Sequence, residues 1–113
     1  EMSGSKCNVW LWGKAVDEEG KQRTYHTPRL CSLLDSKRVK SIAFGGKHML
    51  ALCESGSVFS WGGNSFGQLG QGHTEDNPFP TLIRSLTLRA ALEFAVVVSV
   101  DAGMDQSLAL MDN

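Results

Sequence analysis

His48 sits behind the glycine pair Gly45-Gly46 with one lysine between, and an imidazole on a flexible turn is the usual dress of a general base. The segment around it recurs later in the chain, and there Gln106 stands where His48 stood. An amide can donate and accept hydrogen bonds but cannot move a proton near neutral pH, so the role the two share is hydrogen bonding, expected to run to backbone between repeated units. Three cysteines (Cys7, Cys31, Cys53) and three histidines (His26, His48, His73) would suffice in number for zinc. No pair has the Cys-x-x-Cys or His-x-x-x-His separation of a structural site, and an odd cysteine count without framework spacing reads as free thiols in a reducing compartment. Gly45-Gly46 and Gly62-Gly63 lie in neither phosphate-loop frame, so they read as turn and close-packing glycines. No Ser-His-Asp or Cys-His set has supporting spacing. The expectation is no catalytic residue, no metal and no cofactor.

The residues that remain form a pattern. Ile42-Ala43-Phe44-Gly45-Gly46-Lys47-His48-Met49-Leu50-Ala51-Leu52 leads into Gly56-Ser57-Val58-Phe59-Ser60-Trp61-Gly62 and then Gly67-Gln68-Leu69-Gly70. The opening returns as Val100-Asp101-Ala102-Gly103-Met104-Asp105-Gln106-Ser107-Leu108-Ala109-Leu110, and the middle occurs earlier as Asn8-Val9-Trp10-Leu11-Trp12-Gly13. Trp12 and Trp61 are 49 residues apart, and Gly45 and Gly103 are 58 apart. A period near 50 marks a repeat architecture, and the longer spacing is an insertion in a connector, where closure entropy rises slowly with length. Trp12 and Trp61 hold one place in the unit, so packing between units is their expected role; Trp10, opposite Phe59, is expected in the core as well.

These residues must be carried by short strands. Val39–Phe44, Met49–Cys53 and Val58–Trp61 are β-branched or aromatic and bounded by turn residues, with Gly56 free to take positive φ in the turn Glu54-Ser55-Gly56. Apolar residues on both parities of Met49–Cys53 predict a sheet covered on both faces. A fourth strand is predicted to begin at each proline, over Pro28–Cys31 and Pro80–Ile83. Leu88, Ala91, Leu92 and Ala95 have helical spacing and predict an amphipathic turn or two in the longer connector. The predicted fold is all-β, with four-stranded antiparallel blades of a β-propeller: about eight strands, two blade equivalents, part of a ring. The predicted divisions are a flexible lead-in at 1–7, the second half of a first repeat at 8–38, a complete repeat at 39–96 and the first half of a third at 97–113.

Gly makes up 12 of 113 residues, above the ~7% average, as many tight turns require. Net charge is −1, which argues against nucleic acid as a partner; Lys37-Arg38-Val39-Lys40 is a small basic cluster read as a solvated loop end. No run approaches the ~20 apolar residues of a membrane span and no signal peptide is evident, so the expected setting is intracellular, cytoplasmic or nuclear, without a membrane partner.

Ile42 through Leu52, Gly56, Trp61-Gly62 and Asn64-Ser65-Phe66-Gly67-Gln68-Leu69-Gly70 resemble the repeat named for the regulator of chromosome condensation, the guanine-nucleotide exchange factor of the small GTPase Ran. The likeness covers about 8–112. It departs in the first copy, where Lys14–Gly20 replaces Gly-Gln-Leu-Gly, and in the third, where Gln106 replaces histidine. The resemblance implies a segment of a seven-bladed propeller. Trp12, Gly13, Gly45, His48, Leu50, Leu52, Gly56, Trp61, Gly62, Gly67, Gln68, Leu69, Gly70, Gly103, Leu108 and Leu110 are its structural motif residues, with Leu69 turned inward and Gln68 bonding backbone. The expected function is a non-enzymatic protein-interaction scaffold within a larger intracellular regulatory protein. The alternative is guanine-nucleotide exchange on a small GTPase. The expected partners are other proteins of unknown identity, a small GTPase being the partner under the alternative. Self-association, or contact with the remaining blades, is expected at uncovered edges. Connectors 14–26, 71–79 and 84–96 are where a partner would be met.

Overall fold

In a computed structural model the described residues are 10–16, 22–30, 34 and 37–112. Eight strands and one helix follow in order: β1 (Trp10–Val16), β2 (Gln22–Leu30), β3 (Val39–Phe44), β4 (His48–Cys53), β5 (Val58–Gly62), β6 (Asn77–Leu82), α1 (Arg84–Leu92), β7 (Val96–Ala102) and β8 (Ser107–Asp112). Strands β3-β4-β5-β6 form one four-stranded antiparallel sheet in sequence order, flanked by the two-stranded sheets β1-β2 and β7-β8. The fold is all-β: one complete propeller blade between two halves.

The repeat extends to irregularities of pairing. Register shifts between Leu11 and Gly13 in β1 and between Ser60 and Gly62 in β5, which puts Trp12 and Trp61 at equivalent bulges. Opposite Trp12 the chain runs through His26-Thr27-Pro28 before pairing resumes at Arg29; opposite Trp61 it runs through Pro78-Phe79-Pro80 before Thr81. A second pair of shifts falls between Val39 and Ser41 and between Val97 and Ser99. Bulges re-aim side chains and are kept as features of a repeat. They also correct the fourth strand. Both examples begin before the proline, at Gln22 and Asn77, because a proline inside a bulge on an edge strand forfeits no ladder bond.

β4 is buried on both faces, as its continuous apolar run requires. Leu50 and Leu52 join Ala43, Val58, Ile83 and Val97 on one side, against the β7-β8 sheet. Ala51 joins Leu34, Val39 and Trp61 on the other. Burying each leucine contributes roughly 1.5–3 kcal/mol, so the two clusters are the main cohesive force of the central blade. Three expectations need correction. Trp10, expected in the core beside its counterpart Phe59, is 56% exposed, since among the described residues it joins neither hydrophobic cluster while Phe59 packs against the second. The helix is present, yet Leu88 and Leu92 point outward, and it is Leu86 that packs on the core. Connector 14–26 is mostly strand, because β1 and β2 stay paired out to Val16↔Gln22. Cys7, Cys31 and the acidic run Asp17-Glu18-Glu19 lie outside the described residues.

Candidate functional site

The motif residues converge at the seam between β3-β4 and β7-β8. The Gly46 N–H donates to the Met104 carbonyl across it at 3.1 Å. Ser107 Oγ donates to the Gln68 carbonyl at 2.7 Å, and His48 Nε2 lies 2.9 Å from the same hydroxyl. A serine hydroxyl has one proton, and a carbonyl can only accept it. The hydroxyl therefore accepts from His48 Nε2–H, which fixes the neutral tautomer and leaves Nδ1 as a buried lone pair without a hydrogen-bond partner. Burial holds the His48 pKa below the ordinary 6.5, with the Gln106 backbone and the Asp105 charge pulling the other way. A nucleophilic serine aims its proton at the imidazole; here the polarity is reversed, so the pair is not arranged for general-base chemistry. The side-chain partner of His48 is thus on the neighbouring sheet, and the Gln106 backbone of that sheet also acts on the ring. Ser107 escaped sequence reasoning because Met49 holds its place in the central copy.

Gly45 must lack a Cβ because one built there would run into the His48 ring and come within 2.6 Å of the Gly103 carbonyl. The turn itself is repeated: Gly45 N–H donates to His48 O at 2.8 Å, and Gly103 N–H to Gln106 O at 2.9 Å. Gly62, at φ 111, brings its Cα side to within 2.5 Å of the Lys47 carbonyl when a Cβ is built, so both conformation and space call for glycine. Gly56, Gly67 and Gly70 also have positive φ.

Loop 63–76 is folded around Asn64, which is fully buried. Its Nδ2 donates to the carbonyls of His73 and Glu75, each at 2.9 Å, its Oδ1 accepts from Leu69 N–H at 3.0 Å, and its own N–H donates to Asp76 Oδ1 at 2.8 Å. Leu69 is buried, and Gln68 Oε1 accepts from Phe66 N–H at 2.9 Å. Ser60 Oγ closes the loop onto β5 by donating to Leu69 O at 2.8 Å. A buried side-chain amide that satisfies three backbone groups organises the loop, with the residue's own N–H tied to Asp76; the sequence signal was its place ahead of Gly-Gln-Leu-Gly. Gly13 pairs with Tyr25 in the β1-β2 ladder, and the Trp12 side chain lies outside the described residues. Leu108 and Leu110 are exposed, unlike their buried counterparts Leu50 and Leu52, because the β7-β8 sheet covers the latter while among the described residues the former join neither cluster.

Profiles of the Regulator of chromosome condensation (RCC1) repeat match residues 55–110 and 39–68. The chain belongs to this family. Alsin of Mus musculus is 40% identical over 110 residues, covering 95% of this chain and 6% of alsin. The E3 ubiquitin-protein ligase HERC2 of Homo sapiens is 37% identical over 81 residues, covering 69% of this chain and 2% of the ligase. Among solved structures, Prp20p of Saccharomyces cerevisiae, whose binding to Gsp1p and histones has been characterised, superposes with a TM-score of 0.78 at 30% identity, over 96% of this chain and 27% of Prp20p. Human WBSCR16 gives 0.73 at 25% identity, over 94% of this chain and 27% of that one. The chain thus spans about 6% of the length of its alsin relatives. RCC1 repeats account for the shared Trp, Gly and Leu positions as parts of a blade, and a blade segment of this kind supports protein interaction.

Proposed function

We propose that this chain is a non-enzymatic portion of a protein-interaction scaffold in a larger intracellular protein, with the connectors between strands as the contact surface. One observation carries the reading. The distinctive motif groups are occupied within and between blades, as His48–Ser107–Gln68 and the Asn64 loop are, whereas large apolar side chains on the longer connector face solvent. Leu88, Leu92 and Phe94 are exposed together over 84–96, the arrangement of an interface rather than of a reaction cleft. Residues 71–79 and 84–96 form this surface. Alanine clusters there are expected to weaken capture of a partner about ten-fold while leaving the thermal melt in place. Equal loss from clusters at any exposed site would count against the assignment.

A second reading, guanine-nucleotide exchange on a small GTPase, is favoured by the likeness to Prp20p, since that protein binds Gsp1p. A nucleotide-release assay over a panel of small GTPases separates the two: stimulated release supports exchange, and capture without release supports the scaffold.

A further inference from the structure

We propose that the recess beside the β4-β5 hairpin is a receptor for a glutamate- or aspartate-bearing peptide of a partner protein. It encloses about 320 Å³ and is lined by Lys37, Arg38, Cys53, Ser55, Ser57 and Phe59. The proposal rests on the interaction reading above and assigns that reading a ligand chemistry and a second surface, which adjoins connector 84–96 at Ser55 and Ser57.

Charge decides the occupant. Among the described residues two cationic side chains and two hydroxyls line the recess and no carboxylate does; Glu54 faces solvent, with its N–H donating to the Arg38 carbonyl at 2.8 Å. The Lys37 ammonium sits 5.0 Å from the Phe59 ring centroid, a cation–π contact that holds the charge over the recess rather than letting it wander through solvent. Cys53 does not cancel that charge, because burial raises its thiol pKa and keeps it neutral, even though Lys37 draws the other way. Ser55 Oγ donates to Ser57 Oγ at 3.1 Å, leaving the Ser57 hydroxyl proton free to turn toward a bound anion. Size narrows the class further. At the small end of the range for ligand clefts, the recess takes one or two side chains: a carboxylate between Lys37 and Arg38, with its aliphatic stem against Phe59. Two cations are too few for a nucleic-acid footprint, which needs a stripe along many phosphates.

The test is fluorescence anisotropy with the whole chain and a labelled peptide centred on Glu-Glu-Asp, run beside its Gln-Gln-Asn counterpart, a phosphoserine version and a single-stranded oligonucleotide. The acidic peptide is expected to bind at least about ten-fold more tightly than the amide peptide, and to weaken between about 50 and about 200 mM salt. K37M/R38M, which keeps the stems and removes the charges, is expected to lose about ten-fold in affinity. K37E/R38E is expected to lose the acidic peptide and to gain a Lys-Lys-Lys peptide, a rescue that a misfolded variant cannot produce. Equal binding of acidic and amide peptides, an unchanged K37M/R38M, or a preference for the phosphoserine peptide or the oligonucleotide overturns the proposal. No acidic-peptide binding by the parent chain, with connector-dependent capture intact, sinks this site alone; failure of the connector clusters sinks the broader reading.

Discussion

Ser107 has one hydroxyl proton, and the Gln68 carbonyl 2.7 Å away can only accept it. From that follows which ring nitrogen of His48 carries the proton and how the ring joins the blades; burial, which lowers its pKa, favours the neutral form. The energetic test is substitution. His48→Gln is expected to cost less than about 1 kcal/mol, because an amide can donate to Ser107 as the ring does, and Gln106 already occupies the equivalent turn. His48→Ala is expected to cost about 2 kcal/mol or more, since it opens a cavity and removes the donor at the seam. Chemical denaturation at pH 7.5, roughly a unit above the ordinary histidine value, measures both. The pH dependence has a definite sign. Folding lowers the His48 pKa below 6.5, so the unfolded chain binds the proton first as pH falls. This contribution to stability is therefore complete above 6.5 and is lost as pH drops from there toward the folded value. The melt of the parent chain should fall more steeply over that interval than the melt of His48→Gln; parallel curves would remove His48 as the cause.

Helix α1 ends in a Schellman arrangement: Phe94 N–H donates to Ala91 O at 3.4 Å and Ala95 N–H to Ala90 O at 2.9 Å. The left-handed residue at that place is ordinarily glycine, but here it is Phe94 at φ 52, with its ring 94% exposed. The chain bears the conformational cost of an L-residue in this region and recovers no burial from the ring. Phe94→Gly is accordingly expected to stabilise the fold by about 1 kcal/mol, read as a higher melting temperature. The same variant is expected to weaken partner capture if Phe94 is an anchor of the proposed interface. Stability and binding would then move in opposite directions at one residue, whereas a purely structural role moves both together. The helix also shows why periodicity alone misassigned its face. Leu86, Leu88 and Leu92 distribute apolar surface around the axis, and only the sheet beneath selects Leu86.

At the scale of the molecule, the β7-β8 sheet presents β8 as an open edge among the described residues, with Leu108 and Leu110 exposed along it. An uncovered strand with apolar side chains pairs with another chain unless something covers it. The 113-residue chain is expected to self-associate with rising concentration, and sedimentation velocity reads this directly. Leu108→Lys with Leu110→Lys should shift it toward the monomer. A monomer at every concentration would show that the edge is protected in some other way.

The amino-acid order by itself determined the blade. The positions of β3, β4 and β5, the hairpin at Gly56 and the buried Leu50 and Leu52 were readable because they are local: a continuous apolar run, a turn glycine, a motif repeated within the chain. The Asn64 loop was half readable, its position marked by the motif and its four hydrogen bonds hidden until backbone carbonyls from 73 and 75 were brought to it. Only the tertiary structure decided what crosses between sheets. Ser107 meets His48 across 59 positions of chain, Lys37 settles over Phe59, and Leu86 rather than Leu88 turns inward. Those contacts depend on which surfaces the blades turn toward one another, a question of packed geometry that no local spacing encodes.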